Sequence, residues 1–108
     1  MTAEAFKRQL EALAADYRRD LPEKLAQIDG IWRDLTHGAA QPDRITELQR
    51  ELHSLAGSAR TFGVAGVSEA AAKAESFLDP YCARRKIPGL AEQAKFTTLL
   101  DALRRTAS

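Results

Sequence analysis

The chain of 108 residues holds a single cysteine, one methionine, one tryptophan and only 6% aromatic residues. One thiol, Cys82, cannot close an internal disulfide, which excludes a disulfide-stapled scaffold and fits a reducing interior. No apolar run approaches the roughly 18–20 residues that span a bilayer, and the chain does not open like a signal peptide. A soluble, cytoplasmic protein is the expectation. Charge of one sign is also missing: 16 Lys and Arg against 15 Asp and Glu leave a formal net charge of +1. That gives no global case for nucleic acid or for an anionic membrane surface. Val and Ile are sparse beside Ala and Leu, which disfavours strands. There is no glycine-rich nucleotide loop, no repeat and no low-complexity segment.

What is present reads as one helical domain, residues 1–108. Apolar content of 44% and charged content of 29% are ordinary for a globular protein. Thr2 is placed to cap a first helix, with Glu4 in its opening turn and Phe6, Leu10, Leu13, Ala14 and Tyr17 as its stripe. Asp20-Leu21-Pro22-Glu23 reads as a restart, with an N-cap candidate, an early proline and an acid three residues on. The second helix then carries Leu21, Leu25, Ile28, Trp32 and Leu35 and stops near His37-Gly38. Gln41-Pro42-Asp43 opens a third helix that ends at Phe62-Gly63. After a glycine-bounded turn, Gly63 to Gly66, a fourth helix starts at about Val67 or Ser68 and presents Val67, Ala70, Ala71, Ala74, Leu78 and Tyr81. Asp79-Pro80 should kink or break it, ahead of a turn through Arg84-Arg85-Lys86. A last helix, about Leu90 to Arg105, offers Ala94, Phe96, Leu99, Leu100 and Leu103. The expected fold is all-α: an antiparallel up-down-up-down four-helix bundle with the additional N-terminal helix packed across one end.

The third helix carries the informative histidine. Ile45, Leu48, Leu52, Leu55, Ala59 and Phe62 form its apolar stripe. At about 100° per residue, His53 lies roughly 135° from the centre of that stripe, and Thr46, Gln49, Arg50, Gly57 and Arg60 share its polar side. An exposed imidazole can be an inert surface group or a neutral nucleophile at physiological pH. Its neighbours favour the second. Ala56 and Gly57 lie one turn on, and a mid-helix glycine costs about 1 kcal/mol against alanine. Removing bulk there would let another protein approach closely, and Arg60 offers a cation to an anionic group on His53.

Glu75 is the matching residue on the fourth helix. It and His53 each lie about 16 Å from the intervening turn at about 1.5 Å of rise per residue, hence at one height. Its carboxylate could accept a hydrogen bond from one ring nitrogen, fixing the tautomer and leaving the other nitrogen free to attack. The alternative is a solvated glutamate. His37 has no Cys, Asp or Glu cluster around it, so no metal site is expected. Cys82 reads as a plain thiol.

The run His53-Ser54-Leu55-Ala56-Gly57-Ser58-Ala59, followed by Phe62-Gly63 and later by Ala74-Glu75, resembles the histidine phosphotransfer (HPt) domain. Its pattern is roughly H-x-L-K-G-[SA]-A, then an apolar residue and Gly, then an apolar or small residue with Glu or Gln. The resemblance implies that His53 is a phosphoacceptor and that Glu75 orients its imidazole. It also implies a phosphate- and partner-binding surface of Gly57, Arg60, Ala56, Gln49 and Arg50 around them. It implies receiver domains of response regulators and a sensor histidine kinase, hybrid or not, as partners. The domain would need no cofactor of its own, since the partner receiver would supply Mg²⁺ and the catalytic machinery. It would be a carrier, not an enzyme, and a monomer is expected. One departure is clear: Ala56 stands where the family usually has Lys, a residue taken to hold the phosphoryl group. That departure keeps open a second reading, a non-phosphorylated helical module that binds receivers or other signalling proteins. A third, an enzyme with His53 and Glu75 as acid–base pair, would require a concave pocket.

Overall fold

The structure is a computed structural model that describes residues 2–38, 41 and 43–107. Its described residues form four helices: α1 Ala3–His37, α2 Arg44–Thr61, α3 Ala65–Arg84 and α4 Leu90–Ala107. Each helix packs on two others, α1 on α2 and α4, and α3 on the same two. Side-chain cross-links join each packed pair. Tyr17 bonds Ser58 between α1 and α2, at 2.7 Å. Along α2 and α3, Ser68 bonds the Ala56 carbonyl at 2.7 Å, and His53 meets Glu75 further on. Tyr81 bonds Glu92 at 3.4 Å between α3 and α4. Trp32 bonds Thr97 at 3.3 Å, and Asp29 pairs with Arg104 at 2.6 Å, between α1 and α4.

The core lies along the common axis. Leu21, Ile28, Ile45, Leu48, Leu52, Leu78, Phe96 and Leu103 are all but sealed from water. Each such side chain contributes about 1.5–3 kcal/mol of transfer free energy. On α3 half of the buried positions are alanines, Ala70, Ala71 and Ala74, small enough to bring its backbone close to α2. Trp32 and Phe96 meet at 4.4 Å between ring centroids, so the single tryptophan is core.

The helix ends follow from local chemistry. Thr2 Oγ1 accepts the Ala5 amide at 3.1 Å, capping α1. α2 closes as a Schellman motif: the Val64 amide reaches the Ala59 carbonyl at 2.8 Å, and the Gly63 amide reaches Arg60 at 3.2 Å. Gly63 has φ 74°, which side chains resist. Asp43 precedes α2 without a capping bond from its side chain, and Pro42 lies outside the described residues.

Several expectations are corrected. First, no helix boundary exists at Asp20-Leu21-Pro22. Residues 3–20 run straight into 21–37 as one helix of 35 residues with Pro22 inside. A proline removes one backbone bond, but Tyr17, Leu21 and Leu25 are buried on either side of it and hold the stripe in line. There is therefore no separate N-terminal helix across one end of the bundle, and Phe6, Leu10 and Leu13 are about half exposed. Second, α3 begins at Ala65, so Gly66 belongs to its first turn and the loop is shorter than the glycines suggest. Third, α3 does not break at Pro80: it continues to Arg84, held by Leu78 in the core, and ends at Arg85 with φ 51°. On α4, Ala94 faces solvent, while Phe96, Leu100 and Leu103 carry the buried face.

Candidate functional site

The candidate site lies midway along the α2–α3 pair. The Leu48, Leu52 and Leu55 face of α2 is buried, which turns His53 outward: its side chain is 76% exposed. Glu75 follows the buried Ala74 on α3 and leans to the seam between the helices, with its side chain 24% exposed. Its Oε2 is 2.8 Å from His53 Nδ1. A carboxylate oxygen accepts, so Nδ1–H donates and the proton is fixed on that nitrogen. In a neutral ring with that proton, Nε2 is the nitrogen that carries the lone pair, and no bond among the described residues engages it.

Two further links hold this register. Ser68 Oγ–H donates to the Ala56 carbonyl on one side of the pair. On the other, the Gln49 amide donates to Asp79. Gln49 lies four residues before His53, and Asp79 four after Glu75, so an antiparallel register that joins one pair joins the other. Sequence reasoning missed Asp79 and Ser68, although that spacing was readable.

The remaining predicted site residues divide. Gly57 is exposed, and a Cβ built on it would meet nothing within 4 Å. The fold does not demand glycine there. Ala56 is only 5% exposed, so it belongs to the core and not to an open surface around the imidazole. It sits between Leu52 and Ala59 on the buried side, and its contribution to the seam is its carbonyl. Gln49 is half-buried and engaged with Asp79. Arg50 and Arg60 are exposed. Arg60 lines a shallow groove with Gly63, Ser68, Glu69 and Ala72. The structure brings it into no bond with His53.

Several titratable groups have pKa values displaced by their neighbours. Bonds from Asp34 and then Glu47 raise Arg44, and Asp29 raises Arg104. Burial, then the nearby Glu92, pushes the Tyr81 hydroxyl up. Burial, then the charge of Asp79, pushes the Cys82 thiol above its ordinary value. Cys82 Sγ lies 3.5 Å from the Ile45 carbonyl. His37 is the last residue of α1 and not part of a loop, its Nδ1 2.9 Å from Thr36 Oγ1. Among the described residues no three His, Cys, Asp or Glu side chains gather into a metal-holding cluster. Nor do His53 and Glu75 line any of the principal grooves found among them.

The family model described as Hpt domain matches residues 8–106, nearly the whole chain. No curated protein and no solved structure matches it.

Proposed function

The chain belongs to the Hpt domain family, whose members carry phosphoryl groups on histidine in phosphorelays, and we propose that His53 is the acceptor here. The observation that carries this reading is the bond from Nδ1 to Glu75 on an otherwise exposed ring. The fold it rests on is an antiparallel up-down-up-down bundle forming one domain, and the protein works in the cytoplasm. Among the described residues, no helix is long and apolar enough to cross a membrane.

The donor is the phospho-aspartate of a receiver domain, or a sensor histidine kinase. Nε2 approaches the phosphorus in line. The N–P bond forms as the acyl-phosphate O–P bond breaks, and the aspartate leaves as carboxylate. The proton on Nδ1 stays between the ring and Glu75, which offsets charge as the imidazole becomes a phosphoimidazole. The transition state is loose, so positioning dominates, and a ring held at one nitrogen is already oriented. A partner receiver would hold the Mg²⁺ and supply the neutralisation of the phosphoryl oxygens. Gly57 leaves clearance beside the ring for the partner's loops. Onward transfer to a second receiver uses the same surface, so the two receivers compete. Arg60 and Arg50 supply the positive charge that the family's usual lysine would give.

The test is to mix the protein with a panel of phosphorylated receiver domains and follow acid-labile, alkali-stable label. Label on the wild type that is lost in His53→Gln supports the relay. Receiver binding without label from any donor would overturn it in favour of a non-phosphorylated interaction module.

A further inference from the structure

Two donors on α2 meet two acceptors on α3. His53 Nδ1–H donates to Glu75 Oε2 at 2.8 Å, and the Gln49 amide donates to Asp79 Oδ1. A carboxylate only accepts, so the NH₂ end of Gln49 is the end turned toward α3. The two donors lie four residues apart and so do the two acceptors, about 6 Å along each helix. A side chain as long as glutamine spans that interval, and Glu75 stands one turn along the same seam. Asp79 itself is exposed, and a hydrogen bond there adds little to stability. Its consequence is for the neighbouring pair.

On the reading that His53 accepts the phosphoryl group, on which this inference rests, we propose that Asp79 is a positioning residue of the transfer site. By holding the Gln49 amide it keeps that donor off Glu75, and so reserves Glu75 for the His53 imidazole. The oxygens of Glu75 lie on one rigid plane. A second donor one turn away draws that plane along the seam, away from Nδ1, and takes up charge that the Nδ1–H bond uses. The ring then loses its fixed tautomer, since Glu75 is the group that accepts from Nδ1.

With Asp79 in place each donor has its own acceptor, and the direct pairing satisfies all four groups. Gln49 is accordingly a donor held aside, and not the phosphate contact that the sequence resemblance implies for it. Removing Asp79 releases that donor, whereas removing Asp79 and Gln49 together leaves Glu75 with the imidazole alone.

Transfer from a phosphorylated receiver, with the His53 ring of the free protein followed by nitrogen-15 NMR, tests this. Asp79→Ala should slow transfer at saturating receiver about three- to tenfold, with KM unchanged. It should also lower the share of neutral His53 rings that carry their proton on Nδ1. Asp79→Asn, whose side-chain oxygen still accepts from Gln49, should keep most of the rate. Adding Gln49→Leu to Asp79→Ala removes the competing donor and should recover both the rate and the Nδ1 proton. An unchanged Nδ1 share in Asp79→Ala overturns the proposal. So does a double variant no better than Asp79→Ala, the result expected if the pair only stiffened the seam or if Gln49 touched the phosphoryl group. A raised KM in place of a slower maximal rate would make Asp79 a docking residue and overturn it as well. A wild type that no phosphorylated receiver labels overturns the acceptor role of His53 instead, and the ring signal then decides by itself whether Asp79 reserves Glu75.

Discussion

Glu75 Oε2 stands 2.8 Å from His53 Nδ1, tying the middle of α3 to the middle of α2. The bond commits one ring nitrogen to the protein and the other to solvent. If it positions the nucleophile, Glu75→Ala should slow phosphoryl acceptance about tenfold, the equivalent of one charge-assisted hydrogen bond. Glu75→Gln, whose amide oxygen can still accept, should recover most of the rate. Label transfer from a phosphorylated receiver measures both, and an unchanged rate in Glu75→Ala would remove the positioning role.

Gly57 separates stability from docking. Nothing lies within 4 Å of a Cβ built there, so Gly57→Ala should stabilise the fold by about 0.5–1 kcal/mol and raise Tm by a few degrees. Gly57→Leu should also fold, but raise the KM for a phosphorylated receiver at least about tenfold, because its side chain occupies the partner's approach. A bulky variant that transfers normally would mean that the glycine clears nothing.

Pro22 tests the continuity of α1. In a helix interior, proline costs about 3 kcal/mol relative to alanine. With Pro22 inside Ala3–His37, Pro22→Ala should raise stability to urea by up to that amount. Were Pro22 the first residue of a separate helix, where proline is favoured, the substitution would be neutral or destabilising.

These points mark what the sequence could and could not reveal. Periodicity identified the buried faces of α2, α3 and α4 and turned His53 outward, because a 3.6-residue repeat determines which side is apolar. Equal distance from the Gly63 turn brought Glu75 to the height of His53. Local signals failed where tertiary packing overrode them. Pro22 and Pro80 look like breaks, but Leu21 and Leu78, both sealed in the core, carry the helices past them. Ala56 was placed on the binding surface by the family resemblance, whereas its spacing from Leu52 and Ala59 puts it on the buried side, where Ser68 of α3 bonds its carbonyl. The exposure of Phe6, Leu10 and Leu13 was beyond reach, since their pattern is that of any packed helix and only the length of the other three shows that nothing lies opposite.

Cys82 gives a pH prediction. Burial first, and then Asp79, raises its thiol above the ordinary 9.0. Folding thus favours the protonated form. The associated stability is intact below pH 9.0 and is lost as pH rises through the higher folded value. Alkylation by iodoacetamide near the ordinary thiol pKa should be slower than for an unfolded reference and should reach the reference rate in urea. Equal rates for folded and unfolded chain would contradict the shift.

On the proposed function, His53 receives the phosphoryl group at the nitrogen that Glu75 leaves free. Nitrogen-15 and phosphorus-31 NMR of protein labelled by a phosphorylated receiver reads this directly. The expected spectrum shows a single phosphohistidine, at His53, with phosphorus coupled to Nε2 and the proton retained on Nδ1. Phosphorus on Nδ1, or on His37 in place of His53, would contradict it.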